Sequence, residues 1–222
     1  MLLKRIDVTS DDVGLLSQYY REVLELPVKQ VDVETISIVI GNSEIVFSKA
    51  NSNEKPFYHF AFNIPGNKFE EALKWVQLRS QLLWLDDYKS YVADFKNWNA
   101  KSFYFTDPCG NILEFIARFD LQDDVKETFS SKHLRNVSEI GLVFPQSSFD
   151  SEVKNLVKEY NLTYFAKQPP LEYFRAIGDD EGLFICVPEN RHWFSTENSA
   201  CIFPLSILFI DRGKEHKCKM YC

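Results

Sequence analysis

Three things are scarce in this 222-residue sequence: an excess of positive charge, cysteines in a pairable arrangement, and long apolar runs. The 25 Lys and Arg are outnumbered by 32 Asp and Glu, for a net charge of −7, so there is no basic field to collect phosphates and a nucleic-acid partner is not expected. The five cysteines, Cys109, Cys186, Cys201, Cys218 and Cys222, are odd in number and lack paired knuckle spacing, which argues against a disulfide frame or a zinc knuckle and for reduced thiols. No segment approaches the roughly 18 apolar residues of a membrane span. Lys4, Arg5 and Asp7 also interrupt the N-terminus before a signal-type apolar core can form. The expectation is a cytoplasmic protein with no membrane partner and with a small molecule as its ligand.

What is present is apolar content of 45%, a third of it aromatic, enough to build a real core in a chain of this length. One order of elements, strand, helix, then further strands, recurs three times at a period of roughly 60 to 80 residues, the length of a βαβββ unit. In the first unit Leu2 to Thr9 reads as a strand, and Ser10-Asp11-Asp12 offers capping oxygens to a helix carrying Val13, Leu16, Tyr20 and Leu24. Strands follow at Val28 to Val33, Thr35 to Ile40 and Glu44 to Ser48, then a polar linker from Lys49 to Lys55. The second unit has a strand at Phe57 to Ile64, a helix around Phe69, Ala72 and Val76, and a hairpin of Lys101 to Thr106 with Ile112 to Arg118. Its turn, Asp107-Pro108-Cys109-Gly110-Asn111, contains the residue types that tight turns favour. The third unit reads as a strand at Ser138 to Phe144, a helix at Phe149 to Tyr160, strands near Tyr173 to Ile177 and Leu183 to Val187, and a last strand at Ile202 to Ile210.

Tyr58-His59-Phe60-Ala61-Phe62-Asn63-Ile64-Pro65, Trp98-Asn99-Ala100-Lys101-Ser102 and, above all, Phe103 to Phe115 with its Asp-Pro-x-Gly-Asn turn and following Glu-Phe resemble one module of the vicinal-oxygen-chelate superfamily. That superfamily includes glyoxalase I, bleomycin-resistance proteins and extradiol dioxygenases. The resemblance implies an α+β fold of paired βαβββ modules with a sheet-lined cavity. It divides the chain into a two-module domain at 1–119, a linker at 120–135, a third module at 136–211 and a mobile tail at 212–222. Gly178 to Pro188 and Arg191-His192-Trp193-Phe194 resemble a third-module segment of some bacterial relatives of glyoxalase. A third module without a mate leaves a strand edge to cover, and a homodimer is expected to cover it.

Alternation puts His59, Ala61 and Asn63 on one face of their strand, and sets Glu114 between Ile112 and Ile116 on one face of its own. A carboxylate in such apolar surroundings needs a partner. By position His59 and Glu114 match two metal ligands of the superfamily, which implies one divalent ion (Fe, Mn, Ni or Zn) or, equally, a metal-free cavity in which they form a buried polar pair. Where dioxygenase-like members carry a further His, the aligned residue is Arg5, which cannot ligate a metal, so a triad of two His and one carboxylate is not assembled. Arg5 is then a candidate ligand-binding residue. Glu44 and Glu139 are the candidate proton carriers: Glu44 lies two residues from Val46, the aligned first-module position, and Glu139 stands in the third module where His59 stands in the second. Tyr104, Arg191 and Trp193 complete the candidate ligand-binding set through hydrogen bonding, charge and stacking. The functions implied are a metal-dependent lyase or isomerase of the glyoxalase type, or a non-catalytic protein that binds an antibiotic or aromatic compound.

Overall fold

The computed structural model describes residues 1–51, 55–194 and 196–221. Most of its elements arise where the alternation places them. The first module consists of β1 (Leu2–Ser10), α1 (Val13–Gln18), β2 (Val28–Asp32), β3 (Thr35–Ile40) and β4 (Ser43–Lys49). Asp12 caps α1 by accepting the Leu15 backbone N–H at 2.8 Å, and the helix continues through a wider turn at Tyr19–Val23. The second module holds β5 (His59–Ile64), α2 (Phe69–Gln77), β6 (Ala93–Phe95), β7 (Ala100–Thr106) and β8 (Ile112–Arg118). The third holds β9 (Val137–Phe144), α3 (Phe149–Tyr160), β10 (Arg175–Asp179) and β11 (Gly182–Pro188), and the chain ends in a hairpin of β12 (Leu205–Asp211) and β13 (Lys214–Met220).

The β7–β8 turn shows what the Asp-Pro-x-Gly-Asn pattern is for. Asp107 accepts from the backbone N–H groups of Cys109 and Asn111, both at 3.0 Å, and from the Asn111 side-chain amide at 2.8 Å. Its second oxygen takes the Tyr20 hydroxyl at 3.0 Å, which ties the second module's turn to the first module's helix. Asn111 in turn accepts the Tyr58 N–H at 2.8 Å and fixes the start of β5. The side chains of Tyr20, Tyr58, Asp107 and Asn111 are buried, so their bonds satisfy groups that would otherwise be orphaned.

Pairing between modules departs from the expected order. The free edge of β5 is filled by β9, antiparallel, with Phe60 opposite Ile140 and Ala61 opposite Glu139. Modules two and three therefore share one half of the sheet, in the order β6-β7-β8-β5-β9-β11-β10. The first module is completed by the C-terminal hairpin instead: β1 pairs antiparallel with β12, giving β2-β3-β4-β1-β12-β13. The halves meet where Leu3 bridges to Val137. The expected closed unit of residues 1–119 is thus replaced by two pairings that reach across the chain, and the edge that suggested a homodimer is filled from within.

The tail is the second departure. Lys214–Met220 is not loose but a strand in full register with β12, from Asp211 opposite Lys214 to Leu205 opposite Met220. Its Lys214, Glu215, Lys217 and Lys219 face solvent while Cys218 and Met220 are buried, a pattern that protects an edge strand from further pairing. Cys222 and the middle of the 49–55 linker lie outside the described residues. No disulfide joins the cysteines that are described, and among the described residues no helix is long and apolar enough to cross a membrane.

Helices α2 and α3 lay Phe69, Ala72 and Val76, and Phe149, Val153 and Leu156, into one large core with Phe60, Phe62, Phe115 and Ile140 from one face of the sheet. The opposite face of modules two and three carries a separate cluster that includes Ala61, Trp98, Tyr104, Ile112, Ile185 and Trp193. The candidate site opens on that second face.

Candidate metal centre and its pocket

Strand register delivers three ligand atoms to one point. Ala61 on β5 lies opposite Glu114 on β8 to one side and opposite Glu139 on β9 to the other, and His59 precedes it by two residues on the same face. Both carboxylates lean over the small Ala61 side chain towards the imidazole. The His59 Nε2 lies 3.5 Å from Glu114 Oε2 and 3.7 Å from Glu139 Oε2, and one ligand atom from each of the three residues falls within 4.8 Å of the others. A bulge assists: Ser138 is the extra residue on β9 between the pairings of Glu139 and Val137, and it turns Glu139 inward.

All three side chains are buried. Loss of water, reinforced by the neighbouring Glu139 and opposed by His59, pushes the Glu114 carboxyl up to about 7. Tyr104, directly across from Glu114 on β7, stacks on the His59 ring at 6.4 Å, and burial drives its hydroxyl far above its ordinary value, so it remains a proton-bearing donor. Trp193 also approaches the imidazole, with ring centroids 5.4 Å apart. Room for the indole comes from Gly141: a Cβ there would stand 2.4 Å from the Trp193 ring.

Behind Glu139 sits Arg118, whose side chain has no solvent exposure. Its Nη2 pairs with the Glu139 carboxylate, its Nε donates to the Ser138 hydroxyl at 3.2 Å, and the Trp98 and Phe165 rings flank the guanidinium at 5.2 and 5.8 Å. Nη1 lies 3.7 Å from Asp180, whose other oxygen holds Lys167 at 2.6 Å. Arg118 was missed in the sequence, although the alternation Ile112, Glu114, Ile116, Arg118 carries it onto the cavity face.

Of the residues singled out in the sequence, His59, Glu114, Glu139, Tyr104, Arg191 and Trp193 line one pocket of about 420 Å³, with Phe95, Trp98, Phe174 and Phe194 supplying aromatic wall. Arg5 and Glu44 do not. They stand in register on β1 and β4, where the Arg5 Nη1 bonds Glu44 at 3.2 Å and Asp7 at 2.7 Å through Nη2. The cause is the pairing of the first module with β12, which puts its equivalent face on the other half of the sheet. The pseudo-symmetry between modules also identifies the fourth position of the site: Gly141 is opposite Ile185 as Ala61 is opposite Glu114, so an apolar side chain stands where a fourth ligand would.

The donor set suits a divalent ion. Ligands on one ion of this kind are roughly 3 to 3.5 Å apart, close to the separations from Nε2 to the two carboxylates, and imidazole with two carboxylates is a borderline-to-hard set accepted by Mn(II), Fe(II), Ni(II) or Zn(II).

No family model matches the sequence, and no curated protein sequence matches it. Similarity appears among solved structures. A candidate dioxygenase from Bacillus subtilis aligns with a TM-score of 0.57 at 14% identity, over 84% of this chain and 63% of that one. A glyoxalase/bleomycin resistance protein/dioxygenase from Alicyclobacillus acidocaldarius aligns at 0.43 and 19% identity, over 53% and 92% of the two chains, and lactoylglutathione lyase from Agrobacterium tumefaciens at 0.42 and 17%, over 52% and 92%. The chain therefore shares its fold with the Bacillus protein, and it spans 63% of that protein's length.

Proposed function

We propose that the chain is a divalent-metal-dependent enzyme that moves a proton on a small molecule held in the pocket of modules two and three, a lyase or isomerase in type. The observation that carries this reading is the convergence of His59, Glu114 and Glu139 within 4.8 Å at the floor of an aromatic pocket. These three residues would hold the ion, which supplies Lewis-acid polarisation of a ligand oxygen. In the metal-free fold burial pushes the Glu114 carboxyl up to about 7; an ion held there would bring it down and keep it ionised, so proton transfer would use the carboxylate oxygen that does not hold the ion. Tyr104 offers its hydroxyl as a donor, and Trp193, with the aromatic wall, keeps water from the floor. Arg118 holds Glu139 in place and opposes its charge. One imidazole and two carboxylates differ from the two-His, one-carboxylate set of oxygen-activating iron sites, which favours proton transfer over ring cleavage.

The test is elemental analysis of the protein as purified and after exposure to Mn(II), Fe(II), Ni(II) and Zn(II), beside a His59→Ala, Glu114→Ala variant. About one ion per chain, lost in the variant, is the expected result. If no ion binds under any condition, the metal-dependent reading fails and a non-catalytic binder of aromatic compounds takes its place.

A further inference from the structure

Among the described residues Arg191 is a pocket cation without a counter-charge. Lys96, which also lines the pocket, holds Asp94 at 2.6 Å, and Arg118 is committed to Glu139. Arg191, by contrast, forms no ion pair among the described residues. Its Nη1 donates only to the His192 carbonyl at 3.2 Å, and its guanidinium carbon lies 5.7 Å from the Phe174 ring centroid. Burial lowers the guanidinium below its ordinary value and no carboxylate offsets that effect. None of its donors is both buried and unpartnered, so those that find no partner among the described residues face the solvent of the open pocket and are available to an acceptor there.

The charge around the pocket points the same way. Glu114 and Glu139 against Arg118 leave one negative charge at the floor, a divalent ion turns that into one positive charge, and Arg191 adds a second. A neutral or cationic ligand would leave both uncompensated.

We propose that the pocket binds a planar aromatic or conjugated carboxylate, with the ring between the aromatic walls and the carboxylate on the Arg191 guanidinium. The planar five-donor fork of Arg matches a carboxylate in a two-point contact, and Phe174 behind it limits its motion. The inference rests on the proposed function for the location of the pocket and, in its charge balance, for its metal; the Arg191 contact itself does not involve the donor set.

Isothermal titration calorimetry with 2-naphthoate and its neutral isostere 2-naphthamide tests this, on protein loaded with Zn(II) and on protein stripped with EDTA. The naphthoate should bind about tenfold or more tightly than the amide to the loaded protein, the advantage of a charge-assisted contact over a neutral one. The preference should persist in direction after EDTA. Arg191→Gln should abolish it in both states while leaving the affinity for the amide within about threefold, and Arg191→Lys should restore part of it. Equal binding of acid and amide, no binding of either at millimolar concentration, or a preference that survives Arg191→Gln would overturn the proposal. The metal reading fails separately: a protein that holds no ion yet loses its naphthoate preference in Arg191→Gln retains the anion subsite, whereas an ion-binding protein without the preference retains only the metal centre.

Discussion

Replacing Arg118 by Met tests how the site is held together. Met keeps most of the apolar stem volume and removes the guanidinium, so the change isolates charge and hydrogen bonding from packing. In the wild type the guanidinium is completely buried, paired with Glu139, bonded to Ser138 and flanked by Trp98 and Phe165. Removing it leaves the Glu139 carboxylate, itself only 4% exposed, without its counter-charge, a loss of about 3 to 5 kcal/mol for a broken buried pair. Asp180 loses less, because Lys167 remains beside it at 2.6 Å. For a chain of this size each kcal/mol shifts the melting temperature by about 2 to 4 °C, so a fall of roughly 6 to 20 °C is expected for metal-free protein at pH 8. The fall should be smaller at pH 5, where a stranded carboxylate can take up a proton, and a divalent ion should recover part of it at pH 8 by supplying the missing positive charge. Thermal unfolding at both pH values, with and without Zn(II), measures this. Adding Glu139→Gln to Arg118→Met removes the stranded charge and should recover more than half of the loss. A double variant no more stable than the single one would show that Arg118 acts through packing alone, and the account of Glu139 as its charge partner would fall.

Other expectations follow from the same geometry. Because the Glu114 carboxyl is raised from its ordinary 4.5 to about 7 in the fold, the native state binds more protons than the unfolded one between those values, and metal-free stability should be full below about pH 4.5 and decline as pH rises through 7. The loss is about 3 kcal/mol at most, and Glu114→Gln should flatten that part of the urea-midpoint profile; an unchanged slope would refute the assignment. Gly141→Ala sets a methyl 2.4 Å from the Trp193 ring and should push the indole off His59, seen as a shift in tryptophan emission with the melting temperature lowered by a few degrees; an unaltered emission spectrum would mean that Trp193 is not seated there. Arg5→Gln and Glu44→Gln alter a pair on the other half of the sheet, so metal content and ligand affinity should match wild type within about twofold, and a loss of bound metal in either would contradict the module pairing described here.

His59 and Glu114 were legible in the sequence because each depends on local pattern: strict alternation on an apolar strand, and a turn whose Asp, Gly and Asn have short-range roles. The Asp107 bonds to Cys109 and Asn111 show why that turn is readable: its partners lie within four residues. Glu139 was also visible as an acid on an apolar strand, but its destination was not. The tail was misread because an edge strand carries charge on its open face, so only Cys218 and Met220 record the alternation of β13.

Sequence by itself determined the module pattern, the α+β class and the residues that face inward on each strand, since these depend on neighbours a few positions away. Tertiary structure decided which module lies beside which. Backbone hydrogen bonds carry no label that tells β1 from β9 as a partner for β5, and the choice is made by the packing of whole faces that are far apart in the chain. That choice brings Glu139 to His59 and Glu114, sets Arg118 behind it, closes Trp193 over the imidazole, and leaves Arg5 and Glu44 facing each other on the other half of the sheet.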